Sequence, residues 1–405
     1  MDAPAPDGWN VVRLGDVAEV RRKQVKPYEG DSRPFVGLEN MNSRGALNGH
    51  STAGKSISNK TVFFEGDTLY GKLRPNLRKV VRADFDGVCS TDILAICANE
   101  GLTGSFLNHF LRSDLLYTHA MRGVTGTRMP RTSWTHLRNF RFLLPPLAEQ
   151  RAIASVLDSI DEAIERADEV IAATECLRDA LLRELLARGI PGQHSEWKEV
   201  PGLGTIPASW KVSRLGDVCY RPEYGANAPA LPFDHNLPRY VRITDIADDG
   251  RLLSEDRRSA DPKRTRGFEL NIGDMLFARS GSVGRTYLHR SGNGRCVYAG
   301  YLIRFRALPG VATPEYLERW TRSQFYGRWV RSMQRSGAQP NINATEYSSL
   351  PVLLPSLPEQ RAIGSVMDSV DGAIEQTRDE NTALHLLHTS IADALLTGRI
   401  RTMVC

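Results

Sequence analysis

The chain has 405 residues, 41% hydrophobic and 24% charged, with a formal net charge of +5. That length supports two or three domains with cores of their own, and no apolar run approaches the roughly 18 residues of a membrane span. The N-terminus, MDAPAPDGW, lacks a basic-then-apolar leader pattern. Cys89, Cys97, Cys176, Cys219, Cys296 and Cys405 are scattered without a CxxC pair, so reduced, mostly buried thiols in a cytoplasmic protein are expected.

The first domain opens at Trp9 with WNVVRLGDVA, and WKVSRLGDVC opens at Trp210, so Leu14, Gly15 and Asp16 match Leu215, Gly216 and Asp217. FVGLEN at residues 35–40 and YVRITD at 240–245 each read as a short strand ending on a polar residue. Gly66-Asp67 and Gly273-Asp274 are turns feeding the alternating segments TLYGK and MLFAR. VCSTDILAI from Val88 and VYAGYLIRF from Val297 predict further strands. One helix follows in each case, over 105–121 and 314–333, then a Gly-containing loop and a last strand. Two α+β domains of one topology with divergent loops result, as two readers of different targets would have. Between them, residues 190–209 are rich in Pro and Gly and read as a linker.

Each domain runs into a segment that occurs twice. LPPLAEQRAIASVLDSIDEAI starts at Leu144 and LPSLPEQRAIGSVMDSVDGAI at Leu354; 15 of 21 positions agree between 145–165 and 355–375, at an offset of 210. The prolines stop a strand and open a helix. Apolar residues then alternate at spacings of four and three, from Ile153, Leu157, Ile160 and Ile164 to Leu185, and from Ile363, Met367, Val370 and Ile374 to Leu395. This heptad seam predicts two long helices, each of about 60 Å, that pair with one another. Antiparallel pairing is preferred, because it sets the two domains at opposite ends of a spacer. Arg178, Asn381 and His388 sit on the seam as register-setting or edge positions, and Gly189 and Gly398 end the helices. The resulting division is a target-recognition domain at 1–146, a spacer helix at 147–190, a linker and second domain at 191–356, and a second helix and tail at 357–405. The expected architecture is α+β, with two globular domains, an antiparallel coiled coil and an internal pseudo-twofold repeat.

Charge is partitioned along this plan. Residues 147–188 and 357–398 carry −5 each against +5 for the whole, leaving +15 on the rest. Acidic helices and basic domains suit a polyanion bound through the domains alone.

Gly49–Ser56 fits the pattern G-x4-G-K-S, but a buried strand before it and a helix after it are both missing, so it reads as a surface loop. His385 and His388 stand three apart with no HExxH register and read as ordinary helix residues. No nucleophile elbow, zinc-deaminase signature or dinucleotide-binding glycine fingerprint occurs, nor the Asn/Asp-Pro-Pro-aromatic tetrapeptide of amino-group DNA methyltransferases. The domains do offer basic clusters with small polar residues. Lys72, Arg74, Arg78 and Lys79 follow the first Gly-Asp turn, while Arg128, Arg131 and Trp134 flank the last loop of that domain. Arg279, Ser280, Ser282 and Arg285 follow the second turn, and Gln339, Asn341 and Asn343 precede the second domain's last strand. Gly-Ser-Gly loops bring backbone N–H groups to phosphates, and Arg, Gln and Asn pair bidentately with purine edges.

With the doubled LPPLAEQRAI/LPSLPEQRAI helices, the W-x4-LGDV openings and the two Gly-Asp regions, the whole chain resembles the DNA-specificity subunit of type I restriction–modification enzymes. The resemblance implies that each domain reads half of a bipartite site on double-stranded DNA. It implies long helices that set the gap between half-sites and dock two methyltransferase subunits, with Glu149, Gln150, Arg151, Glu359, Gln360 and Arg361 as docking residues. This chain would be non-catalytic and need no cofactor. S-adenosylmethionine, ATP and magnesium would belong to methyltransferase and restriction/translocase partners, separate or fused. A circular pseudo-twofold would bring the residues before Trp9 near the C-terminal end. The other reading of these features is a coiled-coil scaffold that ignores DNA, against which the +15 on the domains argues.

Overall fold

In the computed structural model, which describes residues 5–55, 58–334 and 340–402, the chain forms two units. Unit 1 is Met1–Glu169 with Thr377–Cys405, and unit 2 is Val170–Gln376.

Unit 1 begins with β1 (Asn10–Arg13), the one-turn helix α1 (Leu14–Val17), β2 (Ala18–Val20), β3 (Gln24–Val25), β4 (Pro34–Val36) and β5 (Ser51–Thr52). It continues through β6 (Lys60–Phe63), β7 (Thr68–Gly71), β8 (Val80–Arg82), β9 (Gly87–Cys89) and β10 (Ile93–Ala98) to the helices α2 (Gly104–Arg112), α3 (Asp114–Arg122) and α4 (Trp134–Leu137). The strand β11 (Arg141–Leu144) leads into the long helix α5 (Leu147–Arg188), whose second half lies in unit 2. Unit 2 continues with β12 (Trp197–Val200), β13 (Gly204–Pro207), β14 (Lys211–Arg214), α6 (Leu215–Val218), β15 (Glu223–Tyr224), β16 (Leu231–Pro232), β17 (Arg239–Val241) and β18 (Arg258–Ser259). Then come β19 (Asp274–Ala278), β20 (Thr286–Leu288), β21 (Cys296–Tyr298), β22 (Leu302–Arg306), α7 (Pro314–Trp320), α8 (Gln324–Met333), α9 (Ala344–Ser348), β23 (Pro351–Leu354) and α10 (Leu357–Leu396), which ends in unit 1.

The repeated opening folds alike in both units. β1 pairs antiparallel with β11, and β14 with β23, so each domain's first strand is zipped to its last. Gly15 and Gly216 sit where the chain start meets the end of the short helix before that last strand. A Cβ there would lie 2.8 Å from Arg138 Cβ and 2.9 Å from Ser348 Cβ, respectively. The four-stranded sheets β2-β10-β7-β8 and β15-β22-β19-β20 share one topology, and the parallel pairs β4/β9 and β17/β21 recur beside them. The Gly-Asp turns have a common cause. Gly66 (φ +85°) and Gly273 (φ +91°) take the left-handed conformation that glycine tolerates best. Asp67 then accepts from Phe64 N at 2.9 Å and from Arg21 at 3.0 Å; Asp274 accepts from Asn271 N at 3.0 Å and from Arg304 at 3.3 Å.

Two local expectations are corrected. The helices read as single over 105–121 and 314–333 are each broken, at Ser113 and Ser323. Each serine is extended and caps the second helix, accepting from Leu116 N and Tyr326 N. The two breaks fall at equivalent places, in Leu111-Arg-Ser and Thr321-Arg-Ser. The expected linker contains a hairpin, because Trp197–Val200 pairs with Gly204–Pro207 and buries Ile206 completely.

Every seam residue of the two long helices named from the heptad pattern is buried or half-buried. Unit 1 shows an antiparallel pairing of its two helix halves. Asp168 accepts from Asn381 Nδ2 at 2.7 Å, Asp161 lies 3.3 Å from His388, and Glu149 meets Arg401 at 2.8 Å, so partner numbers rise as residue numbers fall. The buried Asn381 thus serves register, as polar seam residues do. Ile153, Leu157, Leu395 and Leu396 enter the unit 1 core with Trp9, Leu14 and Phe106. In unit 2, Leu185, Leu186, Ile363 and Met367 join Trp210, Phe277 and Trp320. Burying such side chains contributes about 1.5–3 kcal/mol each and fixes the helices to both domains.

Candidate nucleic-acid interface

Both basic clusters of unit 1 meet at one place. Beyond β7 the chain runs beside the loop preceding α4. Thr132 N donates to Lys72 O at 3.0 Å, Leu73 bridges Arg131, and Arg74 N donates to Pro130 O at 2.7 Å. A 3-10 turn at Pro75–Leu77 is flanked by Arg74 and Arg78, at φ +51° and +50°. Non-glycine residues seldom hold this conformation, and strain of this kind gathers at functional loops. Unit 2 repeats the junction with other residues. Ile342 N donates to Arg279 O at 2.8 Å, Ser280 bridges Asn341, and Arg279 Nε donates to Asn341 Oδ1 at 3.4 Å. The Arg279 guanidinium also stands 5.0 Å from the Tyr224 ring centroid.

The candidate residues divide by what already holds them. Arg78 pairs with Asp114 at 2.5 Å and lies 3.8 Å over Tyr117; Lys79 donates to Leu38 O at 2.6 Å. Arg131 pairs with Asp92 at 3.0 Å, and Arg285 with Asp248 at 2.6 Å. Exposed pairs of this kind are worth little and can be exchanged for a phosphate. Lys72, Arg74 and Arg128 make no side-chain hydrogen bond or ion pair among the described residues, and Arg74 and Arg128 are exposed. Ser280 and Ser282 are half-buried beside Gly281 (φ +69°), and Asn341 is exposed.

Two residues expected at the DNA also have partners within the fold. Trp134 opens α4 and packs against the unit 1 core. Asn343 caps α9, accepting from Glu346 N at 2.9 Å, while Glu346 returns to Asn343 N at 2.8 Å. Gln339 lies outside the described residues, as do Ser56 of the phosphate-loop pattern and Cys405. In that pattern the described residues form a two-residue edge strand and a 3-10 turn, Ala53–Lys55.

Sequence reasoning missed the aromatic side of the unit 2 junction. Tyr301 is 65% exposed and its carbonyl accepts from Arg279 N at 3.0 Å. Beside it a cleft of about 730 Å³ is lined by Gly225, Asn227, Tyr240, Arg242 and Tyr301. The glycines next to Tyr224 and Tyr301 are the signal that could have marked it.

The doubled Glu-Gln-Arg motif also has a structural use. Gln150 Oε1 accepts from Thr103 N at 2.8 Å, while its Nε2 donates to Gly101 O and Pro145 O, both at 2.9 Å. Gln360 repeats this with Thr313 N at 2.9 Å and with Val311 O and Pro355 O at 3.1 Å. Glu149 holds Trp9 and Arg401, and Glu359 holds Trp210 and His194. These four buried side chains are thus engaged within their own units, because a buried amide or carboxylate must find its partners nearby. Arg151 and Arg361 are the exposed members of the motif.

No described helix is long and apolar enough to cross a membrane. Burial pushes the thiols of Cys89 and Cys219 up to about 12, which makes them poor nucleophiles. Among the described residues, one set of side chains has metal-ligand chemistry: His109, Asp161 and His388.

The type I restriction modification DNA specificity domain matches this chain twice, over residues 6–172 and 207–385. The chain belongs to that family. The MjaVIII type I restriction enzyme specificity subunit of Methanocaldococcus jannaschii is 22% identical over 412 residues, covering 98% of this chain and 94% of that protein. The EcoDI specificity subunit of Escherichia coli is 25% identical over 203 residues, or 49% of this chain and 45% of that one. Among solved structures, a chain described in work on complex assembly and conformational transition of the type I R-M system superposes with a TM-score of 0.61. It is 21% identical, with coverage of 98% of this chain and 100% of that one. The type I restriction-modification S subunit from M. genitalium gives 0.58 at 14% identity, with 96% of both chains covered. At these identities the structural likeness concerns the fold, and both members of the family repeat lie within it.

Proposed function

We propose that the chain is the non-catalytic DNA-reading subunit of a type I restriction–modification complex. The domain at 1–146 reads one half of a bipartite duplex site and the domain at 191–356 the other. The observation that carries this reading is the recurrent junction: Leu73 meets Arg131 in unit 1 as Ser280 meets Asn341 in unit 2, one frame presenting different residues. Lys72, Arg74, Arg128 and Arg279 supply cations for phosphate or guanine; Ser280, Ser282, Asn341 and the exposed Tyr301 supply hydrogen bonds and stacking. Arg78, Lys79, Arg131 and Arg285 join them by exchanging their present partners for phosphate. Trp134 and Asn343 hold the reading loops in place.

The long helices at 147–190 and 357–405 set the interval between half-sites. Two methyltransferase subunits dock on their acidic faces and at Arg151 and Arg361, and restriction/translocase subunits join through them. Those partners work with S-adenosylmethionine, ATP and magnesium on cytoplasmic DNA.

The test is single-molecule methylome sequencing of a host carrying the chain with its methyltransferase, against a deletion of this chain alone. A split adenine-methylated motif lost with the deletion is the expected result. Unaltered methylation, with no methyltransferase co-purifying, would favour the DNA-independent scaffold.

A further inference from the structure

We propose that His109, Asp161 and His388 form a site for one divalent transition-metal ion of the zinc class, within unit 1. Their nearest ligand atoms all lie within 4.8 Å of one another. His388 Nε2 is 3.3 Å from Asp161 Oδ1, and His109 Nδ1 is 3.9 Å from Asp161 Oδ2. Zinc bonds of about 2.0–2.1 Å in tetrahedral geometry need ligand atoms roughly 3.3 Å apart, so small side-chain shifts complete the set.

Three further observations point to a ligand. His109 Nδ1 and His388 Nε2 are buried and have no hydrogen-bond partner among the described residues, and the His109 side chain is only 2% exposed. An unpartnered buried ring nitrogen is costly, and a metal ion is a partner the site can accommodate. The opposite nitrogen of His109 is already held: Nε2 lies 2.7 Å from Asp158 Oδ1. With its proton on Nε2, His109 turns the Nδ1 lone pair toward Asp161 and His388, the carboxylate–histidine arrangement that orients metal ligands. A cavity of about 480 Å³, lined by Asn42, Arg44, Asp161, Asp168, His385 and His388, gives an ion its way in and leaves room for a water ligand.

Unit 2 provides an internal comparison. At the repeat offset of 210, His109 corresponds to Arg319, Asp158 and Asp161 to Asp368 and Asp371, and His388 to Arg178. Arg319 pairs with Asp368 at 2.6 Å and Asp371 at 2.5 Å, so in unit 2 a guanidinium stands at the position of His109. Arg112 supplies unit 1 with one guanidinium on Asp161, with its Nη2 at 3.2 Å, and a carboxylate retains lone pairs for a metal beside it. The three donors come from α2, α5 and α10, so the ion would staple the recognition domain to both helix halves of unit 1.

His385 and His388 read as plain helix residues in the sequence because the other ligands come from distant elements.

The test uses full-length, untagged, chelator-treated protein. Isothermal titration with Zn²⁺ should give one saturable equivalent, and zinc at a hundredfold excess over Kd should raise the melting temperature by about 5 °C. His388→Gln should abolish both effects, while His385→Gln and Cys176→Ser retain them. The proposal is overturned if wild-type protein takes up no zinc at micromolar concentration, or if His388→Gln binds as well. If His388→Gln does not fold, the Co²⁺ spectrum of wild-type protein decides. Visible bands without thiolate charge transfer support the site, whereas a thiolate band or no spectrum overturns it.

Discussion

Trp9 donates its indole N–H to Glu149 Oε2 at 2.8 Å, fastening the start of the chain to the first turn of α5. Unit 2 repeats the bond from Trp210 to Glu359 at 3.0 Å. A residue just beyond the opposite helix completes each junction. Arg401, after α10, donates to Glu149 and to Asp7 O, and His194, after α5, lies 2.6 Å from Glu359. Among the described residues before Trp9, Asp7 therefore lies beside Arg401, past the end of α10, as a circular repeat requires. Glu149→Ala leaves the Trp9 N–H buried without its acceptor, and a loss of about 2 kcal/mol in urea-denaturation stability is expected. A change under about 0.5 kcal/mol would mean that the junction does not hold unit 1 together.

The same carboxylate predicts a pH dependence. Hydrogen bonds from Arg401, the larger cause, and then from Trp9 hold Glu149 below its ordinary value against the opposing effect of burial. A carboxylate depressed by folding contributes stability above its unfolded pKa and loses it as pH falls through the folded value. The stability gap between wild type and Glu149→Gln should thus be full near pH 7 and shrink below about pH 4. Chemical denaturation at several pH values measures it, and a gap that widens on acidification would contradict the assignment.

Ser113 was legible only in hindsight, and the reason is instructive. Apolar spacing runs through 105–121 without interruption, so periodicity alone gives one helix. The break is decided by one hydroxyl that accepts from Leu116 N and donates to Phe110 O at 2.6 Å. Ser113→Ala should cost about 1 kcal/mol of stability, measured by thermal unfolding, while Ser155→Ala on the exposed face of α5 costs little.

Other features of the sequence were plainer. The duplicated helices, their seam, the Gly-Asp turns and the repeated openings all follow from spacing that one element imposes on itself. The Glu149 and Gln150 contacts did not show, because their partners Arg401 and Thr103 lie 252 and 47 residues away. Similarly, the basic clusters marked the two recurrent junctions, but which cations are already paired depends on side chains brought in by the fold, such as Asp114 for Arg78 and Asp248 for Arg285.

Gly189 separates conformational strain from crowding. It has φ +76°, and a Cβ would stand 2.3 Å from Glu359 Oε1 and 2.6 Å from His194 Nε2; Gly192, at φ +80°, faces open space. Gly192→Ala should cost about 1 kcal/mol from backbone strain, and Gly189→Ala clearly more, by thermal unfolding. Equal costs would show that the Glu359 junction yields without penalty.

The central claim is that each domain reads its own half-site. Its most direct test is the adenine methylome of hosts carrying, with the methyltransferase, wild-type chain, Arg74→Ala/Arg128→Ala or Arg279→Ala/Asn341→Ala. The account predicts a bipartite motif in wild type and relaxation or loss of discrimination in one half only, a different half for each variant. A motif unchanged in both variants, or altered in both halves by either one, would contradict it.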